Sequence, residues 1–143
     1  MFEQDYLYRL IMALITAIRK SIQKALGEKD LDKAAETLEN SISQATDLDG
    51  SVLLSLAPES IAQVLQVSNT DPRVVIYVAH SMQLQAHYLK QTGKIELSNL
   101  RNQQAHALAD AYHFDLPEEQ DLEEDRFNEE EFLKSIEELS ENY

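Results

Sequence analysis

Residues 2–26 read FEQDYLYRLIMALITAIRKSIQKAL, and this segment sets the architecture of the chain. Apolar side chains recur in it at helical spacing, which predicts a helix over Phe2–Leu26 of roughly 36 Å at about 1.5 Å per residue. A helix that is apolar over so wide an arc needs several neighbours to cover it. Gly27 is expected to end the helix in the left-handed conformation that glycine adopts without steric cost. The predicted inward face consists of Leu7, Ile11, Leu14, Ile18, Ile22 and Ala25, widened by Leu10, Ala13 and Ala17.

The same segment does not have the pattern of a membrane span or of a secretory signal. A transmembrane helix needs about 20 predominantly apolar residues, whereas the longest uncharged run here is the nine residues from Leu10 to Ile18. A secretory signal starts with basic residues, whereas this chain starts with Glu3 and Asp5. We therefore expect a cytoplasmic protein that does not bind a membrane.

The composition of the 143 residues is typical of one globular helical domain with an acidic C-terminal part. Hydrophobic residues make up 43% of the chain, and there are only 3 Gly and 3 Pro, which favours long helices over many turns. The absence of cysteine excludes disulfides, thiolate nucleophiles and cysteine-bound metals. The sequence contains neither a GxSxG motif nor a glycine-rich phosphate loop, so it favours a non-enzymatic protein.

The net charge of −14 is distributed unevenly along the chain. Residues 1–114 carry 13 acidic and 10 basic groups, whereas residues 115–143 carry 13 acidic and 2 basic groups. Affinity for nucleic acids and anionic lipids comes mainly from clustered basic side chains, so we expect neither as a partner. One basic cluster fits either solvated helix ends or a binding patch, and it consists of Arg19, Lys20, Lys24, Lys29 and Lys33.

Short segments are predicted to follow the first helix and to pack against it. Asp30 is a suitable N-cap for a helix over Leu31–Thr46, and the short connection makes this helix antiparallel to the first. Residues Ser51–Leu56 are predicted to form one or two helical turns. Pro58 fits the first position of another short helix.

A second long hairpin is predicted between residues 72 and 112. Asp71 and Pro72 are N-cap and first-position signals for a helix that ends at about Gln91, before Gly93. Its antiparallel partner is predicted at Glu96–Tyr112. The inward side chains of this partner are expected to be Leu97, Leu100, Leu108 and Ala111.

The two predicted hairpins have a similar layout. The spacing from Gly27 to Asp49 equals the spacing from Gly93 to Asp115, and two hairpins stacked side by side bury a shared core as helical repeats do. The predicted fold class is therefore all-α, as an irregular bundle or as two stacked hairpins similar to those of tetratricopeptide repeats. It has five or six helices plus an acidic C-terminal helix.

The chain is predicted to divide into a helical domain at residues 1–116, an acidic linker at 117–127 and an amphipathic acidic helix at 128–143. Asn128 is a suitable N-cap for this last helix. A free helix of this length is marginal in water, so we expect it to fold either on its own domain or in the groove of a partner or of a second copy. The apolar stripe proposed to bind protein consists of Phe132, Ile136, Leu139 and Tyr143.

Histidines are the candidate metal ligands. If the second hairpin folds about Gly93, His80 lies opposite His106, and Asp110 lies one turn beyond His106. Two histidines and a carboxylate are a suitable ligand set for a transition metal. The same spacing arises in any antiparallel pair and no HExxH or ExxH motif accompanies it, so histidines at the domain boundary are the alternative and no cofactor is expected.

Five segments resemble a known family, and through them the chain from Met1 to about Leu116 is similar to small, uncharacterised helical proteins from Gram-positive bacteria. That family has no assigned activity, so the resemblance implies a bacterial helical protein and no functional residues. The matching segments are MFEQDYLYRLI at residues 1–11, Ala45-Thr46-Asp47, Leu53–Ser60, Asn69–Arg73 and Ala109–Tyr112. Taken together, the sequence predicts a protein that binds another protein or itself, as a homodimer, with metal binding as the alternative.

Overall fold

The chain folds into a bundle of helices in a computed structural model that describes residues 2–117 and 127–140. The described residues contain no strand, which confirms the predicted all-α class. In this part of the chain no helix combines the length and the apolar character that a membrane span requires. The helices are α1 (Phe2–Leu26), α2 (Leu31–Thr46), α3 (Gly50–Leu53), α4 (Pro58–Val67), α5 (Pro72–Gln91), α6 (Ile95–Tyr112) and α7 (Glu129–Ser140).

Most helix boundaries follow from the local signals in the sequence. The Asp30 carboxylate accepts a hydrogen bond from the backbone amide of Lys33 at 3.0 Å, and the Asp71 carboxylate accepts one from the amide of Arg73 at 2.8 Å. These are the N-cap bonds that satisfy the otherwise unpaired amides of a first helical turn. At the other end of α5, Gly93 has φ +85°, a conformation that favours glycine.

Gly27 does not have the left-handed conformation that the sequence predicts, and this prediction is wrong. The residue with positive φ in that turn is Lys29, at φ 55°. The backbone amides of Gly27 and Glu28 both donate to the carbonyl oxygen of Gln23, at 2.8 and 3.3 Å. A Cβ atom on Gly27 would lie only 2.8 Å from that same oxygen, so the close approach of the chain is the reason for glycine here.

Helix α5 is the centre of the bundle, although α1 has the more obvious apolar pattern. Fifteen of the 20 residues of α5 are buried. It packs against α1, α2 and α6, while α1 pairs with α2 and α4 packs against α6. The two antiparallel hairpins, α1–α2 and α5–α6, therefore share a core, in which α5 is covered from several sides.

Helix α6 presents a polar face to the core, which differs from the prediction. Leu97 is 37% exposed and Ala111 is exposed, whereas Leu108 is buried as predicted. The buried polar side chains of α6 are Ser98, Arg101, Asn102 and Gln104. These residues follow helical spacing, so the inward face of α6 is as regular as an apolar one would be but is held by hydrogen bonds.

Candidate interaction site

The C-terminal helix α7 lies on its own domain, in a groove between α1 and α5. The Asn128 side chain accepts a hydrogen bond from the amide of Glu131 at 3.0 Å, so Asn128 is the N-cap that the sequence predicts. Phe132 and Ile136 point into the core and are 6% and 0% exposed. The sequence allowed this helix to fold either on its own domain or in the groove of a partner or of a second copy, and in the structure it packs on its own domain.

The predicted apolar stripe is only partly used in this contact. Phe132 and Ile136 are buried, Leu133 is half-buried, and Leu139 remains 36% exposed. The fourth predicted member, Tyr143, lies outside the described residues. A protein-binding role for the stripe stays a prediction, since its two central side chains contact the domain itself here.

Aromatic rings line the part of the groove that α5 provides. The ring of Phe127 lies 4.2 Å from that of His87, and the ring of Phe132 lies 6.1 Å from that of His80, centroid to centroid. Phe127 and Phe132 also contact each other, with centroids 5.6 Å apart. All three pairs are tilted, an arrangement that aromatic rings favour. Such a pair contributes about 0.5–1.5 kcal/mol in addition to the free energy gained from burying its apolar area.

His80 is buried in this groove and 5% exposed. Its Nδ1 lies 2.8 Å from the carbonyl oxygen of Ile76, which can only accept, so Nδ1 carries the proton. Burial lowers the pKa of His80 below its usual 6.5, and the bond to Ile76 offsets this only in part. A protonated His80 would therefore weaken the packing of Phe132.

The first turn of α7 brings a carboxyl group into the groove. Burial raises the pKa of Glu129, and its Oε2 is buried without a hydrogen-bond partner in the described part of the chain. The neighbouring Tyr88 has its pKa raised by burial first and by the charge of Glu129 second. A buried, unpaired carboxyl oxygen costs free energy, so this end of α7 is bound less favourably than its apolar centre.

One exposed ion pair completes the contact between α7 and α1. Arg19 donates from Nη2 to Oε1 of Glu137 at 3.0 Å, and both side chains are nearly half exposed. Exposed pairs of this kind contribute about 0.2–1 kcal/mol. The anchors Phe132 and Ile136 therefore dominate the binding of α7.

The three candidate metal ligands do not form a metal site. Within residues 2–117 and 127–140 no group of three His, Asp or Glu side chains is placed to bind one ion. His80 contacts Ile76 and Phe132, and Asp110 is exposed. The predicted axial register of α5 and α6 is correct, but α5 is surrounded by helices and His80 lies on the side that faces α7.

A polar cluster at the centre of the bundle was missed by the sequence analysis. Arg101 donates to Oε1 of Gln85 at 2.8 Å, to the carbonyl of Leu54 at 2.6 Å and to Oε1 of Gln104 at 3.0 Å. Gln104 donates in turn to the carbonyls of Leu54 and Leu56 at 2.9 and 2.8 Å. These carbonyls follow the single turn of α3, where no helix continues to pair them, so the cluster has a structural role.

An open cleft of about 490 Å³ lies where the start of α1 meets the turn before α5. Tyr6, Asp47 and Asn69 are among its lining residues. Two charged groups of this cleft pair with each other, since Asp71 accepts hydrogen bonds from Nε and Nη2 of Arg73 at 3.1 and 3.0 Å. We therefore interpret the cleft as the surface of the turn before α5, whose N-cap is Asp71.

Comparison of this chain with protein-family models, with curated proteins and with solved structures finds no match. The similarity to a family of small helical bacterial proteins stays a prediction. The functional argument consequently depends on the geometry of the α7 contact.

Proposed function

We propose that this protein acts by binding a helix of another protein in the groove between α1 and α5, and that α7 occupies this groove when the partner is absent. The observation that carries the proposal is the burial of Phe132 and Ile136 from one face of a helix that lies at the end of the chain. Two such anchors on an amphipathic helix are the usual elements of helix-in-groove recognition. The groove thus already accepts the kind of ligand that we assign to it.

The energy of the α7 contact is suited to exchange. Burial of two large apolar side chains contributes about 3–6 kcal/mol, and part of this offsets the entropy of ordering a helix that is marginal on its own. The unpaired Oε2 of Glu129 weakens the contact further. A partner helix that keeps the two anchors and has no buried carboxyl group would displace α7.

The layout of the domain supports the same proposal. Two antiparallel hairpins that share a core are also the building units of tetratricopeptide proteins, whose stacked helices form binding surfaces. We include that relation, and a cytoplasmic location, as parts of the proposal. Cell fractionation would test the location.

The direct test uses a fluorescent peptide with the sequence of residues 127–143. It is added to the full chain carrying Phe132→Ser and Ile136→Ser, in which α7 no longer fills the groove. We expect the peptide to bind this variant, and to bind the unaltered chain at least about tenfold more weakly, because tethered α7 competes at a high effective concentration. A peptide with the same two serine substitutions is the matched control.

The outcome that contradicts the proposal is equally definite. Circular dichroism establishes whether the serine variant keeps its helical fold. If the folded variant does not bind the unaltered peptide, the groove does not accept a helix that is supplied in solution, and the proposed function is wrong.

A further inference from the structure

A second groove runs along the outer faces of α1 and α2. Its volume is about 640 Å³. Ala13, Ala17 and Ser41 are among its lining residues, so small side chains leave room for another element to approach closely. From Arg9 to Lys24 the groove extends for about 22 Å at the rise of an α-helix.

The charge of this groove is opposite to that of the chain as a whole. Arg9, Lys20 and Lys24 line it, and no carboxylate is among the described residues that do. The described residues form four ion pairs, and none of them uses these three cations. Lys24 donates instead to the hydroxyl of Thr37 at 2.8 Å. In a chain with 26 acidic and 12 basic residues, this is a basic surface that forms no ion pair with the described residues.

Helix α7 carries the complementary surface. Its solvent-facing side chains include Glu130, Glu131 and Glu138, all exposed, together with Lys134. At 100° per residue the three glutamates lie within an arc of about 100°, opposite to the anchors Phe132 and Ile136, and Lys134 lies inside the same arc. The docked helix therefore presents an acidic ridge that its own domain does not cover. At 12 residues it is about 18 Å long, which fits the groove.

The positions of the groove and of α7 around α1 suit a symmetric pair of molecules. Arg19 of α1 binds Glu137 of α7, whereas the next residue, Lys20, lines the groove. Consecutive residues point about 100° apart, so groove and α7 flank the exposed side of α1. In a twofold arrangement with each α7 over the groove of the other molecule, the same contact would form twice.

We propose that two copies of this chain associate through these surfaces, with the acidic ridge of α7 of one copy in the α1–α2 groove of the other. This inference goes beyond the proposed function, because it uses the outer face of α7 and a different groove. The pairing is electrostatic in its specificity, since the three cations of the groove meet a ridge whose three carboxylates outnumber its one lysine.

Charge reversal tests this inference with the full chain. The groove variant carries Lys20→Glu and Lys24→Glu, and the ridge variant carries Glu130→Lys and Glu131→Lys. Light scattering on a sizing column, at about 100 μM protein and about 150 mM salt, should show a dimer for the unaltered chain and a monomer for each variant alone. A mixture of the two variants should form a dimer again, because the reversed groove of one then meets the reversed ridge of the other at one contact, while the second contact keeps its original charges. The control reverses Lys29 and Lys90, which are exposed and lie outside the groove, and should stay dimeric.

Three results would overturn the inference. One is an unaltered chain that is monomeric at about 100 μM. Another is a pair of variants that do not associate when mixed. The third is a dimer that the groove variant loses and the ridge variant keeps, which would assign the groove to another acidic segment. A monomeric chain whose serine variant still binds the peptide of residues 127–143 would leave the proposed function intact, so the two ideas fail separately.

Discussion

Replacing Arg101 by methionine tests the account of the bundle's polar centre. Arg101 is only 5% exposed, and its guanidinium binds three neutral oxygen acceptors, on Gln85, Gln104 and the backbone of Leu54. Burial lowers the pKa of Arg101, while the charge of Glu39 acts in the opposite direction. Methionine keeps the length and the apolar stem of the side chain but removes every donor.

The expected loss follows from the groups that remain. The carbonyl of Leu54 keeps the hydrogen bond from Gln104, but the side-chain oxygens of Gln85 and Gln104 lose the donor that Arg101 provides. Each buried polar atom without a partner costs about 1–3 kcal/mol. Removing the charge recovers part of this, because a buried guanidinium is itself poorly solvated. We expect the free energy of unfolding to fall by about 2–4 kcal/mol.

Urea unfolding followed by circular dichroism measures this change. The matched control is Lys94→Met, which removes an ion pair with Asp32 whose side chains are 55% and 75% exposed, and it should change stability by less than about 0.5 kcal/mol. Adding Gln85→Leu to Arg101→Met should cost less than Gln85→Leu alone, because the orphaned oxygen is removed with its side chain. A loss below about 1 kcal/mol, or strict additivity of the two changes, would refute the network.

Two further predictions concern His80 in the α7 groove and Gly50 at the start of α3. Because burial lowers the pKa of His80, the unfolded chain takes up a proton at higher pH than the folded one. Stability from this group is therefore full above about pH 6.5 and is lost as the pH falls below it. Glu129, whose pKa is raised by burial, acts in the opposite direction. The measurement is therefore the difference in urea midpoint between pH 7.5 and 5.5, compared between the unaltered chain and His80→Gln. The substitution should reduce this difference, and an unchanged difference would contradict the assignment to His80. Gly50→Ala should lower stability by about 1–3 kcal/mol, since its Cβ would lie 2.6 Å from Oγ of Ser43 and 3.1 Å from the carbonyl of Glu39; an unchanged urea midpoint would contradict this.

The helices and their pairing could be predicted because their signals are local. The predicted bounds of α1, α2 and α5 agree with the structure, since Asp30, Asp71 and Pro72 each act within one helical turn. The register of the second hairpin also follows from its short turn. Arg101 bonds Gln85 across it as an antiparallel pair about Gly93 requires.

The inward face of α6 could not be predicted, because apolar periodicity is the only signal that the sequence analysis weighed there. The carbonyls of Leu54 and Leu56 need donors, and Gln104 reaches them across about 50 positions of sequence. Only the packed structure places the α3–α4 turn beside α6. The polar spacing of Ser98, Arg101 and Asn102 was the available signal, and it becomes informative once a buried polar partner is known.

The packing site of α7 and the neighbour that His80 faces could not be predicted, for the same physical reason. The sequence shows that α7 has an apolar stripe, but the groove that receives it consists of α1 and α5 residues separated by more than 50 positions. His80 was placed opposite His106 by axial register alone. Because α5 is buried on nearly all sides, register does not determine which neighbour a given side chain faces.

The two faces of α7 make the two proposed interactions mutually exclusive. The anchors Phe132 and Ile136 hold the helix beside α1, and only a helix in that position carries its glutamates toward the groove of a second copy. A partner helix that displaces α7 from the α1–α5 groove therefore also removes the acidic ridge from the dimer contact. Thermodynamic linkage makes this coupling reciprocal, so dimer formation weakens partner binding by the same factor. A chain with both surfaces would alternate between a closed dimer and a monomer bound to its partner.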